Sequence, residues 1–430
     1  MDSNILVKDV WFDGEEKCII IRNNYIYKIF SSTDVVAIKD NILHIKQNPN
    51  TYSITTIING KNKAILPAFY NLHCHAGMNI LRGYCEDLPL FDWLQKIWAL
   101  EAELKAEDIY NGTRLAILEM IKSGTVFFAD MYWFNEEVVR AAEEMGIRCD
   151  VGVCVMDRLG NKEIDKKFEF IREFNKANNC DRISVSPAPH AVYTCSKELY
   201  QHCYALAEEC DVRMQTHVSE TLQEVNDCKK QNHGLSPVEY LNEIKVLDNR
   251  TIAAHCVHFS EKDAEIFAKQ GAVAVHNPCS NMKLSSGVFN MPLMKEKKCN
   301  ITLGTDGCSS NNNLSMMEEM KFACLLSKVT FQKADALSAK EVYKMATING
   351  AKAYNINAGE IKEGMLADFI LVDLDNERLQ PLHNIIYNIV YAADSSCVDT
   401  VVCNGKVLMQ NRKVENEEEI IEIAKRYAKV

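Results

Sequence analysis

The sequence lacks the patterns that would place it at a membrane, outside the cell or on nucleic acid. Its N-terminus has no basic region followed by an apolar run, so we expect no secretory signal peptide. Its apolar stretches are far shorter than the roughly 20 residues that a helix needs to span a bilayer. No cluster of Lys and Arg offsets the formal net charge of −11, and nucleic-acid binding depends largely on such clusters. We therefore expect a cytoplasmic protein that binds neither membranes nor nucleic acid.

Cysteine is abundant, but it is not arranged for cross-linking or for a structural zinc site. The 17 cysteines are an odd number and lie singly along the chain, and no two form a C-x-x-C pair. In a chain without a signal peptide, reduced and mostly buried thiols fit this pattern better than disulfides do.

The two ends of the chain have a similar texture. The first sixty residues contain short segments rich in Ile, Val and Tyr that are separated by Asn-Asn, Asp-Asn and Asn-Gly turns. Comparable segments return at 367–375 and 399–410. The pattern predicts one small β domain that is built from both ends of the chain.

Between these ends, apolar segments of strand length alternate with helical patterns, as in a parallel sheet that is buried on both faces. The eight candidate strands are 64–75, 125–131, 149–157, 183–190, 213–219, 251–257, 272–278 and 301–307. Ser260 and Gly271 bracket one intervening helix, and Ser338 and Glu341 form a capping box for another. Eight such units predict a (β/α)₈ barrel. A doubly wound open sheet is the alternative, but the Gly-rich turn of a dinucleotide site is absent from the sequence.

Histidines gather at one end of the predicted barrel. Six of the 11 histidines follow candidate strands: His73, His75, His190, His217, His255 and His276. A single histidine of this kind is more often a core or surface group than a ligand. Six on the face where barrel enzymes carry their catalytic groups indicate an active site.

The stretch "NLHCHAGMN" at 71–79 contains three side chains that can bind a metal. Residues two apart on a strand point to the same side, so His73 and His75 can both face the barrel axis while Cys74 points outward. With His217 and Asp306 they would form a mixed nitrogen and oxygen ligand set suited to Zn²⁺ or Fe²⁺. We expect one divalent metal, most consistent with zinc, with one exchangeable position.

The order of these residues along the barrel resembles the amidohydrolase superfamily: His73-Cys74-His75 after the first strand, His217 after the fifth, His255 after the sixth and Asp306 after the eighth. The segment 359–368 looks like that superfamily's re-entry into its β-sandwich. The resemblance implies an α/β (β/α)₈ TIM barrel with a small β-sandwich domain formed by the N- and C-terminal segments. We expect the N-terminal segment of the sandwich at 1–62, the metal-dependent barrel at 63–358, and the C-terminal segment of the sandwich with a final helix at 359–430.

Two further features narrow the expected chemistry. Many relatives hold two metals bridged by a carboxylated lysine after the fourth strand, but the segment 184–190 has no lysine, which favours a single metal. Glu220 lies three residues beyond His217 and can reach a substrate bound beside the metal. A Glu in a loop is usually solvated, but here its offset from the ligand favours a general acid, which hydrolytic deamination requires.

Longer motifs resemble the methylthioadenosine/S-adenosylhomocysteine deaminase group over nearly the whole chain. They are 81–88, 92–94, 253–258, 276–281 and 303–307. In that group, water activated by the metal attacks C6 of adenine and ammonia leaves. The resemblance implies a hydrolase acting on a carbon–nitrogen bond of a cyclic amidine, with methylthioadenosine, S-adenosylhomocysteine, 5′-deoxyadenosine or adenosine as substrate.

The same resemblance assigns roles residue by residue. Asp306 is implied as metal ligand and proton shuttle, Glu220 as the donor of a proton to N1 of the ring, and His255 as the group that orients the water. Glu101 is implied to bind the ribose hydroxyls, with Trp93 and His190 as further substrate contacts. Glu101 is explained equally well as a surface acid, and His276 almost equally well by packing at a strand end.

One departure concerns the 5′ substituent. Family members that accept the homocysteine carboxylate tend to have an arginine at the end of the third strand, where this chain has an apolar residue within 151–157. Arg158, just beyond, is a candidate substitute from the loop. A bidentate guanidinium is hard to replace, so S-adenosylhomocysteine is less expected than the other three substrates.

Alternative functions remain open from the sequence. A guanine, 8-oxoguanine or pterin deaminase or a triazine hydrolase would use the same metal site, although a ribose-binding Glu101 would then be idle. A non-catalytic scaffold is a further alternative. It would not need the histidines, Glu220 and Asp306 that this chain retains, and their presence argues against it. The small zinc deaminases of nucleic-acid bases are excluded because Pro278-Cys279 lacks the second cysteine of their motif. By analogy with relatives, we expect a homo-oligomer that acts on a small purine nucleoside.

Overall fold

The computed structural model describes residues 4–46, 51–160, 163–177 and 180–428. The N-terminal strands are β1 (Asn4–Phe12), β2 (Glu15–Arg22), β3 (Tyr25–Ser31), β4 (Val35–Lys39), β5 (Ile42–Ile45), β6 (Thr51–Ser53), β7 (Thr56–Asn59) and β8 (Lys63–Pro67). The central strands are β9 (Phe69–Cys74), β10 (Thr125–Tyr132), β11 (Arg148–Val155), β12 (Ile183–Pro189), β13 (Met214–Val218), β14 (Thr251–His255), β15 (Val273–His276) and β16 (Asn300–Leu303). The C-terminal strands are β17 (Phe369–Asp373), β18 (Val398–Cys403), β19 (Lys406–Gln410) and β20 (Lys413–Val414).

The small β domain is a nine-stranded sheet in which both ends of the chain pair side by side. Its order is β20-β19-β18-β17-β8-β1-β2-β3, with β7 paired to β1. β17 lies antiparallel to β8, so that Ile370 is opposite Leu66. Side chains alternate between the faces: Phe369 and Leu371 pack within the sheet domain, whereas Ile370 and Val372 pack into the barrel core. The β domain predicted from the two ends of the chain is confirmed.

A smaller sheet packs on one face of β1 and β2. β4, β5 and β6 form a three-stranded antiparallel sheet. Leu43 and Tyr52 from this sheet pack against Leu6, Cys18 and Ile20 from the large one. Apolar side chains from two sheets that interdigitate in this way make a β-sandwich.

The barrel consists of two four-stranded parallel sheets, β12-β11-β10-β9 and β13-β14-β15-β16. Backbone hydrogen bonds close both seams between them. At one seam the His217 amide donates to the His190 carbonyl at 2.9 Å, and at the other the Asp306 amide donates to the His73 carbonyl at 2.9 Å. The predicted (β/α)₈ barrel is therefore confirmed, and its seams lie at the strand ends where the histidines gather.

Helices surround the barrel and also pack beside the sheet domain. They are α1 (Leu90–Glu101), α2 (Ala106–Lys122), α3 (Asn135–Met145), α4 (Ile164–Ala177), α5 (Lys197–Glu209), α6 (Leu222–Gln231), α7 (Pro237–Glu243), α8 (Glu261–Gln270), α9 (Pro278–Lys283), α10 (Met291–Glu296), α11 (Met316–Phe331), α12 (Ala339–Ala346), α13 (Ile348–Ala353), α14 (Ile385–Tyr391) and α15 (Glu417–Ala424). Ser260 and Gly271 cap α8, and the predicted capping box of Ser338 and Glu341 begins α12. Among the described residues, no helix is long and apolar enough to cross a membrane.

The single strand predicted over 64–75 is wrong, because the structure divides it at Ala68. β8 pairs with β17 in the sheet domain, whereas β9 pairs with β10 in the barrel. Both strands are largely buried, so the hydrophobic pattern did not indicate that they pair with different sheets. The boundaries at 62/63 and 358/359 stay a prediction.

A buried ion pair joins the barrel to the sheet domain. Arg148 at the start of β11 donates through Nε to Asp368 Oδ2 at 2.8 Å, and both side chains are almost completely buried. The Tyr70 hydroxyl and the Asn404 amide also donate to this carboxylate, at 2.7 and 2.6 Å. The Asp368 charge is thus compensated by groups from both domains.

Replacing Arg148 by Ala should lower the free energy of unfolding by about 3–5 kcal/mol, because it leaves a buried carboxylate without its cation. Urea denaturation measures the change. The control is Arg172→Ala, which removes a pair with Glu209 at 2.8 Å that is about half exposed on both sides and should cost less than about 1 kcal/mol. Equal losses in the two variants would contradict a special role for the buried pair.

Candidate active site

The side chains of the site project from strand ends where the backbone is strained. His255 ends β14 with a φ of +72°, and Asp306 follows β16 with a φ of +65°. Non-glycine residues adopt this left-handed region rarely, and such residues cluster at functional sites.

Four predicted ligands lie together at the mouth of the barrel. Asp306 Oδ1 is 3.1 Å from His75 Nε2 and 3.6 Å from His73 Nε2. The ring of His217 is centred 4.9 Å from that of His73. Ligand atoms of His73, His75 and Asp306, and likewise of His73, His217 and His255, lie within 4.8 Å of one another. We call the four predicted ligands, His73, His75, His217 and Asp306, the metal cluster, and the imidazole of His255 lies beside it.

The donor atoms of the metal cluster fit a divalent ion. The Nδ1 atoms of His75 and His217 face the carbonyl oxygens of Met131 and His190, at 2.5 and 2.8 Å. A carbonyl only accepts, so each Nδ1 carries the proton and each Nε2 is left for the metal. His73 Nε2 is buried without a hydrogen-bond partner in the described portion of the chain. Cys74, by contrast, packs into the barrel core.

Burial and proximity set the protonation of the metal cluster. Burial lowers the pKa of His73 to about 4, and it holds the pKa of His217 well below the ordinary value. Burial opposes ionisation of Asp306, but the nearby imidazoles of His73 and His75 outweigh it and keep that pKa well below its usual range. Burial opposes the charge of His75, but the carboxylate of Asp306 outweighs it and raises that pKa to about 9, so an ion that binds there displaces a proton.

Glu220 and His255 face each other beside the metal cluster. Glu220 Oε2 is 3.8 Å from His255 Nε2, and the Ser286 hydroxyl donates to Glu220 Oε1 at 3.0 Å. Burial raises the pKa of Glu220 above its ordinary value, although the contacts with His255 and Ser286 oppose the rise. A buried carboxyl group with a raised pKa can hold a proton near neutral pH.

Three predicted substrate contacts line a narrow cavity over the metal cluster: Trp93, Glu101 and His190. The Tyr132 hydroxyl donates to Glu101 Oε1 at 2.7 Å and fixes that carboxylate. Trp93 Nε1 is buried with no partner among the residues described, so it can donate to a ligand.

Arg158 lines neither the cavity nor the adjoining groove, and its role as a substitute for the missing arginine stays a prediction. Its backbone amide donates to the Thr194 carbonyl, and its Nη1 donates to the Val192 carbonyl at 3.2 Å. These bonds hold the exposed side chain against the turn that follows β12. His276 is also outside the cavity lining, since its ring stacks on Phe289 with centroids 4.5 Å apart.

A groove of about 730 Å³ borders the cavity at Trp98, Glu101 and Trp133. Its walls are mostly apolar and include Val153. Lys167 from α4 also lines it, with Nζ 2.7 Å from the Cys154 carbonyl and 4.8 Å from the centre of the Trp133 ring. Lys167 forms no ion pair with a carboxylate of the described residues, and burial lowers its pKa.

Several residues that hold the site were not singled out from the sequence. Ser280 donates to Asp306 Oδ2 at 2.6 Å, and Asn281 Oδ1 lies 2.9 Å from His255 Nδ1. Both belong to the motif at 276–281, which the resemblance contained without assigning roles. Tyr132, Lys167 and Ser286 had no sequence signal, because their contacts come from elements distant in the chain.

A (β/α)₈ barrel with imidazoles and a carboxylate at the C-terminal ends of its strands has the architecture of a metal-dependent hydrolase. The chain belongs to the amidohydrolase family, which matches residues 64–408. It is 43% identical over 423 residues to a 5′-deoxyadenosine deaminase from Methanococcoides burtonii, covering 95% of this chain and 97% of that protein.

Two further comparisons agree with this membership. A 5-methylthioadenosine/S-adenosylhomocysteine deaminase from Archaeoglobus fulgidus is 46% identical over 382 residues, covering 87% of this chain and 89% of that protein. Among solved structures, an adenosine deaminase from Xanthomonas campestris with bound zinc superposes with a TM-score of 0.90 and 29% identity. That match covers 99% of this chain and 97% of the other.

Replacing His75 by Ala should weaken metal binding by more than about 100-fold, because losing even an outer hydrogen-bonding partner of a ligand costs roughly 10–100-fold. Elemental analysis after dialysis measures the bound metal. Cys74→Ala is the matched control, since that thiol packs into the core, and it should retain the metal of the unaltered protein. Loss of metal in the cysteine variant would contradict the arrangement.

Proposed function

We propose that the protein removes the 6-amino group of an adenine nucleoside hydrolytically, giving the inosine-type product and ammonia. The observation that carries the proposal is the juxtaposition of Glu220, with its raised pKa, and His255 beside the metal cluster. Relatives more than 40% identical over most of the chain are named as deaminases of 5′-deoxyadenosine or of methylthioadenosine and S-adenosylhomocysteine. Both names describe adenine nucleosides, which supports this ring over guanine, pterin or triazine.

We assign one divalent ion to His73, His75, His217 and Asp306. Three imidazole nitrogens and a carboxylate oxygen suit Zn²⁺, and the adenosine deaminase from Xanthomonas campestris contains zinc. Fe²⁺ fits the same donors. Bound there, the ion supplies the positive charge that lowers the pKa of a water molecule and makes hydroxide available near neutral pH.

Residues of the chain handle the protons. Glu220 donates a proton to N1 of the ring, which makes C6 electrophilic. Ser286 donates to Oε1 and thereby leaves Oε2 to carry that proton. Asp306 accepts the proton released by the water and passes it to the departing amine, while His255, held through Nδ1 by Asn281, orients the water. The proton of the added hydroxyl group returns to Glu220 as the C6 carbonyl forms, so the net reaction consumes one water and releases one ammonia.

The sugar occupies the passage between the cavity and the groove. Glu101, fixed by Tyr132, accepts hydrogen bonds from the ribose hydroxyls. A 5′ substituent then extends into the groove beyond Glu101, where the apolar walls suit a methyl or thioether group. Lys167 offers a cation there to a substituent that ends in a carboxylate.

Ammonia release from a panel of purines and nucleosides tests the activity. We expect turnover of adenine nucleosides, and activity confined to free bases or triazines would overturn the proposal. Glu220→Gln should lower kcat by about 10²–10⁴-fold, the usual contribution of general acid catalysis, without loss of metal. Glu103→Gln, which alters a nearby exposed carboxylate, should keep full activity.

Replacing Lys167 by Met should raise KM for S-adenosylhomocysteine about tenfold or more and leave KM for methylthioadenosine unchanged. A charge-assisted hydrogen bond to the carboxylate is lost only in the first case. Lys262→Met is the control, because Lys262 is exposed, paired with Glu239 at 2.5 Å and not part of the groove lining. Equal changes for both substrates would place the 5′ substituent elsewhere.

A further inference from the structure

Glu224 is a buried acid that the proposed reaction does not use. Its side chain is 3% exposed, and it forms no ion pair with any described Lys, Arg or His. Oε1 accepts a hydrogen bond from the Ser219 amide and Oε2 accepts one from the Glu220 amide, both at 2.8 Å. A carboxylate without a cation is costly to bury. The two backbone amides, rather than a cation, therefore compensate the carboxylate of Glu224.

The local sequence suggests a capping box, but the structure has only one of its two hydrogen bonds. Thr221 and Glu224 have the spacing of a capping box at the start of α6, and Thr221 Oγ1 accepts from the Glu224 amide at 3.1 Å. In a capping box the Glu side chain would return to the amide of the N-cap residue, here Thr221. The Glu224 carboxylate instead reaches one and two residues further back, into the loop between β13 and α6.

That loop carries the proposed proton donor. Ser219 has a φ of +52°, a conformation that favours glycine, and its carbonyl accepts from the His258 amide at 3.0 Å. With both neighbouring amides bound to one rigid carboxylate, the peptide planes before and after Ser219 cannot rotate freely. Glu220 is therefore held at its backbone by Glu224 and at its side chain by Ser286.

We propose that Glu224 is a positioning residue that sets the backbone of Glu220, so that the carboxyl group of Glu220 meets N1 of the purine. The inference rests on the proposed function. A misplacement of about 1 Å at a reacting group can lower the rate by about 100-fold, and the bidentate clamp prevents such a shift. Glu224 acts without touching the substrate.

The test is a double-mutant cycle with Glu224→Gln and Glu220→Gln. A Gln side chain presents one oxygen and one NH₂ group, so one of the two backbone amides loses its acceptor. In the unaltered background Glu224→Gln should lower kcat at least about tenfold with KM changed less than about threefold. In the Glu220→Gln background it should change kcat less than about twofold, because the group it positions is already gone.

Two measurements and one control variant distinguish positioning from effects on metal binding or on stability. Metal content should be unchanged, and its loss would show that Glu224 acts on His217 instead. A tetrahedral 6-hydroxy-1,6-dihydropurine nucleoside, which resembles the addition intermediate, should bind more weakly to Glu224→Gln in proportion to the loss in kcat/KM. Asp263→Asn alters a carboxylate at the same position of α8, bound to Ser260, and should lower stability without changing kcat.

An equal fall in kcat in both backgrounds, or no fall in either, would overturn the inference. Hydrogen exchange of the amides of 217–221 gives a readout that does not need catalysis, and it should be faster in Glu224→Gln and unchanged in Asp263→Asn. If the unaltered protein deaminates no nucleoside, the proposed function fails. The exchange result then still decides whether Glu224 holds the loop, and unchanged exchange would also overturn the inference.

Discussion

The closure of the barrel is the constraint on which the rest of the structure depends. The two seams between its half-barrels are joined by backbone hydrogen bonds at the residues that carry the metal cluster: His190 to His217 at one seam and His73 to Asp306 at the other. Side chains alternate along strands, so a shift of either seam by one residue would turn an imidazole or the carboxylate away from the axis. Forming the barrel and assembling the metal cluster are therefore the same event.

The second requirement is that the buried polar groups of the site find hydrogen-bond partners. Burying an unpaired polar or charged group is costly, and the segment after β15 supplies many of the pairs. Ser280 binds Asp306, Asn281 binds His255 and Ser286 binds Glu220. One stretch of chain thus fixes the orientation of three groups that come from three other strands. This explains how a site assembled from distant regions of the sequence can have a single geometry.

Two rules were sufficient to predict where His73 and His75 lie. Side chains alternate along a strand, and barrel enzymes carry their catalytic groups at the C-terminal ends of the strands. These rules put His73 and His75 on the axis and Cys74 in the layer outside, and the structure has this arrangement. The same rules could not distinguish His276, which also ends a strand but stacks on Phe289. They could not predict the orientation of Arg158 either, because the carbonyls of another segment, at Val192 and Thr194, determine it. The groove with Lys167 depends on how α4 packs over β11, which no local pattern records.

The sequence by itself determined the fold class, the two-ended β domain and the identity of the side chains that form the candidate metal site. These features follow from the periodicity of apolar residues and the spacing of the histidines. Both are local properties of the chain that few folds satisfy. Only the tertiary structure decided where strand β8 leaves off and β9 begins, that Lys167 rather than Arg158 faces the groove, and that Glu224 binds the loop of Glu220. Each of these depends on which partner a side chain or strand meets across space, and several partners of similar chemistry are available until the barrel closes.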